Sequence, residues 1–409
     1  MTMKKISILL ISLYATVYAD QNIEIVGGNS AGNPKLAIVS FTNESGDISN
    51  ELTSDFKVTG EFNVLNYTEV SAIESGVQYS VSGSINQTED GQTQIKYKLT
   101  NTLTNQVMLD QTAAFSSKFL RKAVHAISNN IYQKLTNTPG AFTSKIALTV
   151  QEAPKKYSVV VADYDGYNPK TVLTTAHPIT SLAWDKSGQY LSYVTYETGK
   201  PVVYVQNLQS GNRYTVANFN GSNSSPDFVP NSQKLLVTLS KDYGSHIYLV
   251  NNHKFTSSSQ AIPVVNFGTI DTEADISKNG KILFTTDHDG GPQIFMTDLN
   301  GSTPMRITQN LGKYNTTARF SNDGGKITFI NRNNGVLQTY VMDLTTQAAY
   351  PVSPNAHHDV SPSFAPNDKL ILFSSDDSIY ISNVTGTTLT RLNNLNYQHI
   401  IDQRWAKNF

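Results

Sequence analysis

The chain has 409 residues, a formal net charge of −1 and no cysteine. A chain this close to neutral lacks the long-range attraction that draws proteins to nucleic acid or anionic membranes, so we expect no nucleic-acid partner. The lack of cysteine excludes disulfides, thiolate metal sites and a cysteine nucleophile.

The first 19 residues have the pattern of a secretory signal peptide. Lys4 and Lys5 precede an apolar run that begins at Ile6, and Val17 and Ala19 stand three residues and one residue before the expected cleavage site. The apolar run is about twelve residues long, whereas a helix needs about 20 to span a bilayer. We therefore predict that residues 1–19 are a signal peptide and that the chain is exported.

Residues 20–33 read as a flexible tether. Ile23 and Ile25 alternate with polar residues, and Gly27 and Gly28 follow them. Such a segment can lie as an extended strand along the edge of a sheet, its own or a partner's. A frayed terminus without a partner is the alternative.

Residues 34–142 predict a small α/β domain. Two short strands, "KLAIVSF" and "FNVLN", flank a helical segment, "DISNELTSDFKVTG". Three runs that alternate with a period of two then predict a meander: "QYSVSGSIN", "QIKYKLTNT" and "QVMLDQTAAF". Leu120, Val124, Ile127 and Ile131 recur at helical spacing after the meander. The pattern indicates a mixed sheet covered by two helices.

The C-terminal part repeats one large anchor residue followed by small polar residues. Five copies read "AWDKSGQYL", "DFVPNSQKL", "DISKNGKIL", "RFSNDGGKI" and "SFAPNDKLI", and the last is "RWAKNF". Successive anchors are 44, 48, 44, 44 and 41 residues apart by subtraction: Trp184, Phe228, Ile276, Phe320, Phe364 and Trp405. A period of about 40–50 residues built from short strands and Asn/Gly/Asp turns is typical of a β-propeller.

Each repeat predicts one four-stranded blade, whose strands are called A to D from the channel outward. The anchor lies on strand A, and the pairs SG and NG after it predict the A–B turn. The acids of "DHDGGPQIFMTDLNG" then fall at turns of the third blade: Asp287 and Asp289 in the B–C hairpin, and Asp298 at the end of strand C. A calcium loop would need a bidentate acid at its twelfth position, which is missing. We interpret these acids as turn residues.

The sixth blade lacks most of its strands at the C-terminus. Trp405 is followed by only four residues. Three strand-like runs precede the first repeat and predict strands B, C and D of this blade: Lys145–Val150, Tyr157–Gly166 and Lys170–Thr174. Combining strands from both ends closes the ring and covers the edges that an open ring would expose. We predict a six-bladed propeller over residues 143–409, closed by a C-terminal strand.

Three stretches together resemble the TolB family: "DYDGYN", "TTDHDGGPQIFMTDLNG" and "KLTNTPGAFTSKIA". The resemblance covers signal peptide, tether, α/β domain and propeller. It implies a non-enzymatic adaptor in the periplasm that belongs to the Tol–Pal system, which supports outer-membrane integrity and constriction at cell division and is exploited for the import of colicins. The implied partners are the lipoprotein Pal, which would hold the chain at the outer membrane, and the C-terminal domain of TolA.

The predicted partner sites follow from the blade geometry and from this resemblance. The D–A and B–C loops share one end of the channel, so the segments before the anchors converge on one mouth. Thr272 and Glu273 match a Thr-Glu pair with which the family contacts Pal, and Ser222 and Ser225 align with a second contact run. We expect Glu273 to lie in a loop and to have little structural role. The other predicted Pal contacts are Ser181, Asn315, Thr316, His358, Asp359 and Asp402. The predicted TolA contacts are Asp20, Gln21, Asn22, Ile23, Glu24, Ile25 and Val26.

Two other functional classes stay open for a propeller. A hydrolase or lyase would need convergent His, Arg and Glu side chains in the loops before the anchors. A small-ligand-binding propeller would need tryptophans at the mouth, but Trp184 and Trp405 are both anchors. We predict a monomer that is not an enzyme and uses no cofactor.

Overall fold

The computed structural model describes residues 32–44, 47–89, 91–241, 243–354, 358–395, 397 and 399–407. The predicted signal peptide and the predicted tether up to residue 31 lie outside these described residues, as do the predicted TolA contacts. The predicted limits of the domains therefore stay predictions.

The N-terminal unit is a five-stranded mixed sheet with two helices, as predicted. Its helices are α1 (Asp47–Thr59) and α2 (Leu120–Thr136). The strands are β1 (Lys35–Val39), β2 (Asn63–Tyr67), β3 (Tyr79–Gln87), β4 (Thr93–Asn101) and β5 (Gln106–Phe115). They are ordered β2-β1-β3-β4-β5, and β1 pairs in parallel with both neighbours while the other pairs are antiparallel.

Helical spacing decides which side chains of the two helices are buried. Ile48, Leu52 and Phe56 recur on one face of α1, and Val124 and Ile131 recur on one face of α2. Residues three or four apart lie on the same side of a helix, so each helix presents one apolar stripe. These stripes join the sheet in a core that continues into the sixth and fifth blades of the propeller.

The rest of the chain forms six four-stranded sheets arranged as blades. Three strands precede the first complete blade: β6 (Lys145–Ala153), β7 (Lys156–Asp163) and β8 (Lys170–Thr175). Blade 1 contains β9 (Ile179–Trp184), β10 (Tyr190–Thr195), β11 (Val202–Asn207) and β12 (Arg213–Ala217). Blade 2 contains β13 (Asn223–Phe228), β14 (Lys234–Leu239), β15 (His246–Asn251) and β16 (Ile262–Val265).

The remaining blades follow the same order along the chain. Blade 3 contains β17 (Asp271–Ile276), β18 (Lys281–Thr286), β19 (Gln293–Asp298) and β20 (Met305–Arg306). Blade 4 contains β21 (Asn315–Phe320), β22 (Lys326–Asn333), β23 (Val336–Asp343) and β24 (Ala349–Pro351). Blade 5 contains β25 (Asp359–Phe364), β26 (Leu370–Ser375), β27 (Ser378–Asn383) and β28 (Leu389–Arg391).

The sixth blade joins the two ends of the propeller, as predicted. Its inner strand is β29 (His399–Trp405), and the sheet order is β29-β6-β7-β8. The Trp405 side chain is 1% exposed, stacks on Tyr164 with ring centroids 6.3 Å apart, and donates to Ser144 Oγ at 2.7 Å. The closing strand is therefore anchored by packing as well as by its ladder of hydrogen bonds.

The A–B turns use the residues that their backbone conformation requires. Gly188, Gly280 and Gly324 have φ values of 69°, 77° and 80°. In blades 2 and 5, which lack a glycine at this point, Asn231 and Asp368 take the left-handed conformation instead. Asn and Asp are the non-glycine residues that adopt this conformation most readily.

The α/β domain packs against the A–B and C–D loops of blade 5. Asn367 in the A–B turn donates to the carbonyl of Pro139 at 3.2 Å. Asn383, at the end of strand C, donates to the carbonyl of Thr59 at 3.2 Å. The mouth formed by the D–A loops lies at the opposite end of the channel.

Candidate functional site

The inner strands share one irregularity, three residues before each anchor. In blades 1 to 5 the residue there has a left-handed φ: Ser181 59°, Ser225 46°, Glu273 57°, Thr317 56° and Ser361 49°. The pairing register of strands A and B shifts at the same place in blades 1 to 5, and in blade 6 it shifts slightly earlier, between Ile400 and Asp402. Such bulges turn side chains away from the regular pleat. The left-handed backbone of a non-glycine residue also costs free energy. Their recurrence marks this end of the channel as a candidate functional site.

The bulges surround a cavity of about 340 Å³ at the mouth of the channel. Six of the predicted Pal contacts line it: Ser181, Ser225, Glu273, Thr316, Asp359 and Asp402. Eleven further residues line the cavity and were not among the predicted contacts, including Tyr314, Thr317, Arg319, Leu337 and Ser361. Thr317 and Ser361 could have been found by counting three residues back from each anchor.

The prediction that the site residues lie in loops was wrong for most of them. Eight of the ten are within the inner strands, and only Ser222 and His358 lie outside a strand. The strands extend further toward the mouth than the sequence pattern indicated because the bulge interrupts the alternation of polar and apolar side chains without ending the strand.

Glu273 has a larger structural role than predicted. Its Oε2 accepts hydrogen bonds from Thr285 Oγ1 and from the main-chain N–H of Thr317, both at 2.8 Å, and its Oε1 accepts from Thr317 Oγ1 at 3.1 Å. The Glu273 carbonyl accepts from Arg319 at 3.2 Å. Thr317 and Arg319 belong to blade 4, so the side chain of Glu273 joins two blades and fixes the bulge between them.

Asp402 and Asp359 also hold main-chain groups of their neighbours. Asp402 Oδ2 accepts from the N–H of Leu182 at 2.7 Å, and Asp359 Oδ2 accepts from the N–H of Thr339 at 2.8 Å. Burial is the main cause that raises the pKa of both carboxyl groups. These acids connect the backbone around the mouth.

The other four predicted contacts lie apart from the cavity lining. Thr272 Oγ1 is 3.4 Å from Ser225 Oγ, just outside the cavity. Asn315 is fully buried and bonds to Gln293 and Asn331. The main chain of Ser222 pairs with Ser240, and exposed His358 lies near Asp376. Their partner roles stay predictions.

A layer of charged residues crosses the channel below the mouth. Asp227, Asp275, Arg319 and Arg404 each directly precede an anchor. Arg404 lies 2.5 Å from Asp275 and 3.6 Å from Asp227, and Lys407 lies 3.5 Å and 3.8 Å from the same two acids. Burial raises the pKa of Asp227 to about 6, against the opposing effect of Lys407.

Large apolar side chains are exposed around the mouth. Tyr196 and Tyr243 lie in B–C loops, Ile270 lies in a D–A loop, and Val360 is near the start of its inner strand. Their exposed fractions are 38%, 104%, 49% and 36%. A polar cavity ringed by exposed aromatic and aliphatic groups has the composition of a protein-binding surface.

The acids of the third blade are turn residues. Asp287 Oδ1 accepts from the main-chain N–H groups of Thr269 and Ile270 at 2.8 and 2.9 Å. Asp298 Oδ1 accepts from the N–H of Asn300 at 3.0 Å. The Asp287 bonds also place the B–C loop beside the D–A loop, which confirms that these loops share one end of the channel.

Residues 132–407 match the sequence family described as the TolB beta propeller domain. This match spans more than half of the chain. The chain belongs to the TolB family.

Individual TolB proteins extend the similarity into the N-terminal domain. The Tol-Pal system protein TolB of Bordetella parapertussis is 31% identical over 310 residues, covering 72% of this chain and 69% of the relative. That of Nitrosomonas europaea is 33% identical over 231 residues, covering 53% and 54%. The crystal structure of TolB from Acinetobacter baumannii superposes with a TM-score of 0.83 at 29% identity, covering 95% of this chain and 99% of that one.

The chain is thus a member of a family of Tol–Pal system proteins. In the part of the chain that the structure describes, neither helix is long and apolar enough to cross a bilayer.

Proposed function

We propose that this chain is a non-enzymatic adaptor of the Tol–Pal system in the periplasm. The propeller mouth binds the lipoprotein Pal, and the N-terminal tether binds the C-terminal domain of TolA. Through Pal the chain is held at the outer membrane, where it supports envelope integrity and constriction at division. Membership of the TolB family supports a role in the Tol–Pal system. The exposed side chains at the propeller mouth support the location of the Pal site there.

The ring of exposed apolar side chains is the observation that carries the Pal site. Tyr196, Tyr243, Ile270 and Val360 come from four different blades or blade junctions yet lie at one end of the channel. Interfaces are enriched in aromatic residues, and a few such side chains supply most of the binding energy. The α/β domain occupies loops at the opposite end. Over the residues that the structure describes, the α/β domain therefore leaves the mouth accessible to a partner of the size of a protein domain.

The hydrogen bonds of the acids at the mouth support an adaptor rather than an enzyme. Glu273, Asp359 and Asp402 each accept a main-chain N–H from a neighbouring strand. A general acid or base needs its carboxyl group within reach of a substrate proton. Carboxylates that hold the backbone serve to fix the shape of the mouth instead.

A pull-down from cross-linked envelopes tests the proposed partners. Tagged full-length protein should recover Pal and TolA, and recovery of neither would contradict the adaptor role. Removing residues 20–31 should abolish TolA recovery and leave Pal recovery unchanged, because an extended segment that adds to a partner's sheet contributes main-chain hydrogen bonds. Undiminished TolA recovery by the truncated chain would rule out the tether as the TolA site.

A further inference from the structure

A buried cluster of charged residues lies where the α/β domain meets blade 6. Helix α1 contributes Glu51 and Asp55, helix α2 contributes Arg121 and His125, and the loop after β7 contributes Asp165. Glu51, Asp55 and His125 are 4%, 0% and 2% exposed. The cluster is remote from the mouth and plays no part in the proposed partner contacts.

Both ring nitrogens of His125 face carboxylate oxygens. Nδ1 lies 3.0 Å from each oxygen of Asp55. Nε2 lies 3.2 Å from Glu51 Oε1 and 3.3 Å from Asp165 Oδ2. A neutral imidazole has one N–H, so its second nitrogen would turn a lone pair toward acceptor oxygens. An imidazolium donates a hydrogen bond on both sides.

The charges around His125 favour the same protonation state. Arg121 pairs with Glu51 and with Asp165, and its guanidinium lies 3.3 Å from the centre of the Tyr167 ring. The Tyr164 hydroxyl donates to Asp55 Oδ1 at 2.5 Å. Arg121 is the sole permanent cation among these groups, and it pairs with the carboxyl groups of Glu51 and Asp165, whereas the carboxylate of Asp55 faces His125. A second positive charge on His125 reduces the uncompensated buried charge, which is costly inside a protein.

We propose that the domain junction of this TolB protein is a proton-binding site, in which His125 is held as an imidazolium and takes up its proton when the α/β domain docks on blade 6. This inference does not depend on the proposed partners. The proton would link the docking of the two domains to pH.

The direction of the pH dependence follows from the electrostatics. Burial alone lowers the pKa of His125, but the nearby carboxyl groups of Asp55, Asp165 and Glu51 together raise the pKa above its usual value. Burial, and then Asp55, raise the pKa of Glu51 as well. A raised pKa contributes stability that is complete below the value of the unfolded chain and is lost as the pH rises through the folded value. Docking should therefore weaken as the pH rises above neutral.

A metal ion is the competing occupant of this site. Among the described residues, Glu51, His125 and Asp165 can bring ligand atoms within 4.8 Å of one another. The guanidinium of Arg121 already pairs with both of these carboxylates. A cation placed between them would lie beside a permanent positive charge, so the geometry favours the proton.

Nitrogen NMR of the full-length protein with ¹⁵N-labelled histidine tests the protonation state directly. About pH 8.5 is two units above the ordinary histidine pKa, so an unperturbed imidazole is neutral there. His125 should still carry protons on both nitrogens, and its signals are assigned by their loss in His125→Gln. A neutral His125 ring at this pH would overturn the proposal. So would a metal-shifted ring nitrogen that reverts on adding a chelator.

Hydrogen exchange of the junction amides tests the link to docking. Protection factors of residues 137–144 should fall at least about ten-fold between about pH 7 and pH 10 in the wild-type protein. In His125→Gln they should be low and should fall less with pH, because of His125 and Glu51, whose pKa values are both raised, only Glu51 remains. His246→Gln is the matched control, because it removes a buried His–Asp pair, with Asp271 at 3.0 Å, inside the propeller. Equal pH profiles for the wild-type protein and His125→Gln, or the same loss in His246→Gln, would refute the link.

Discussion

The guanidinium of Arg404 lies 2.5 Å from the carboxylate of Asp275, across the propeller channel. Arg404 is on the closing strand β29 and Asp275 is on the inner strand of blade 3, half-way round the ring. Asp275 also accepts the main-chain N–H of Phe320 at 2.8 Å. The ring is therefore held together by side-chain packing between neighbouring blades, by the blade that combines strands from both ends of the propeller, and by a buried ion pair across its centre.

Breaking this ion pair from one side should be costly. Arg404→Met leaves Asp275 and Asp227 without their closest cation, and Asp275→Asn removes the closest anion. An uncompensated buried charge typically costs about 3–5 kcal/mol. The free energy of unfolding should be measured by chemical denaturation for both single variants and for the double variant. The loss of stability in the double variant should be much smaller than the sum of the losses in the two single variants.

The exposed pair Lys96 and Asp110 is the matched control for that cycle. Their charged atoms are 3.9 Å apart and both side chains are largely exposed. Water screens such a pair, so its coupling energy should be about 0–1 kcal/mol. Equal coupling energies for the two pairs would contradict a buried link across the channel.

Removing residues 403–409 should destabilise the propeller far more than a short C-terminal trim usually does. The deletion removes Trp405, whose indole donates to Ser144, and the carbonyl of Arg404, which accepts from Trp184 Nε1 at 3.1 Å. Losing a buried tryptophan alone costs roughly 3–5 kcal/mol. Calorimetry should show a large fall in melting temperature. An unchanged melting temperature would exclude the closure by one C-terminal and three N-terminal strands.

Asp227→Asn should alter the pH dependence of stability. Burial raises the pKa of Asp227 to about 6, so its contribution is complete below the ordinary aspartate value and is lost as the pH rises through about 6. The asparagine keeps an oxygen that can accept the N–H of Ile276, as Asp227 does at 3.0 Å. We expect the variant to gain roughly 1–3 kcal/mol relative to the wild-type protein between pH 4 and pH 8. The free energy of unfolding in urea should be measured against pH for both proteins. Curves that run parallel would contradict this prediction.

Glu273→Lys should lower the melting temperature of the free protein. The substitution removes the closer acceptor of the Thr317 N–H, at 2.8 Å, and leaves Thr285 Oγ1 at 3.3 Å. Weakening the hydrogen bonding of this half-buried donor should cost about 1–3 kcal/mol. Lys278→Glu reverses an exposed charge at the opposite end of the same blade and is the control. A Glu273→Lys protein as stable as Lys278→Glu would mean that the bulge holds without this side chain.

Repetition determined how much of the molecule could be predicted. The anchors recur at similar spacing, so the blade number and the closing strand follow from the sequence. The role of Glu273 does not, because it depends on a bulge and on two residues of the next blade. The His125 cluster joins two helices and a propeller loop that are far apart in the chain. Only the packed domains bring these charges together.

Calorimetric titration of Pal into mouth variants is the most direct test of the account. Tyr243→Asp suits this purpose because the side chain is fully exposed and its backbone, with φ of 45°, accepts aspartate readily. Lys278→Glu, at the other end of the channel, is the control. We predict that Tyr243→Asp weakens Pal binding about ten-fold or more, as expected for an aromatic contact at an interface, with an unchanged melting temperature, and that Lys278→Glu binds Pal normally. Weaker Pal binding by Lys278→Glu, together with normal binding by Tyr243→Asp, would place the Pal site at the end of the channel that carries the A–B turns. That result would contradict a Pal site at the mouth.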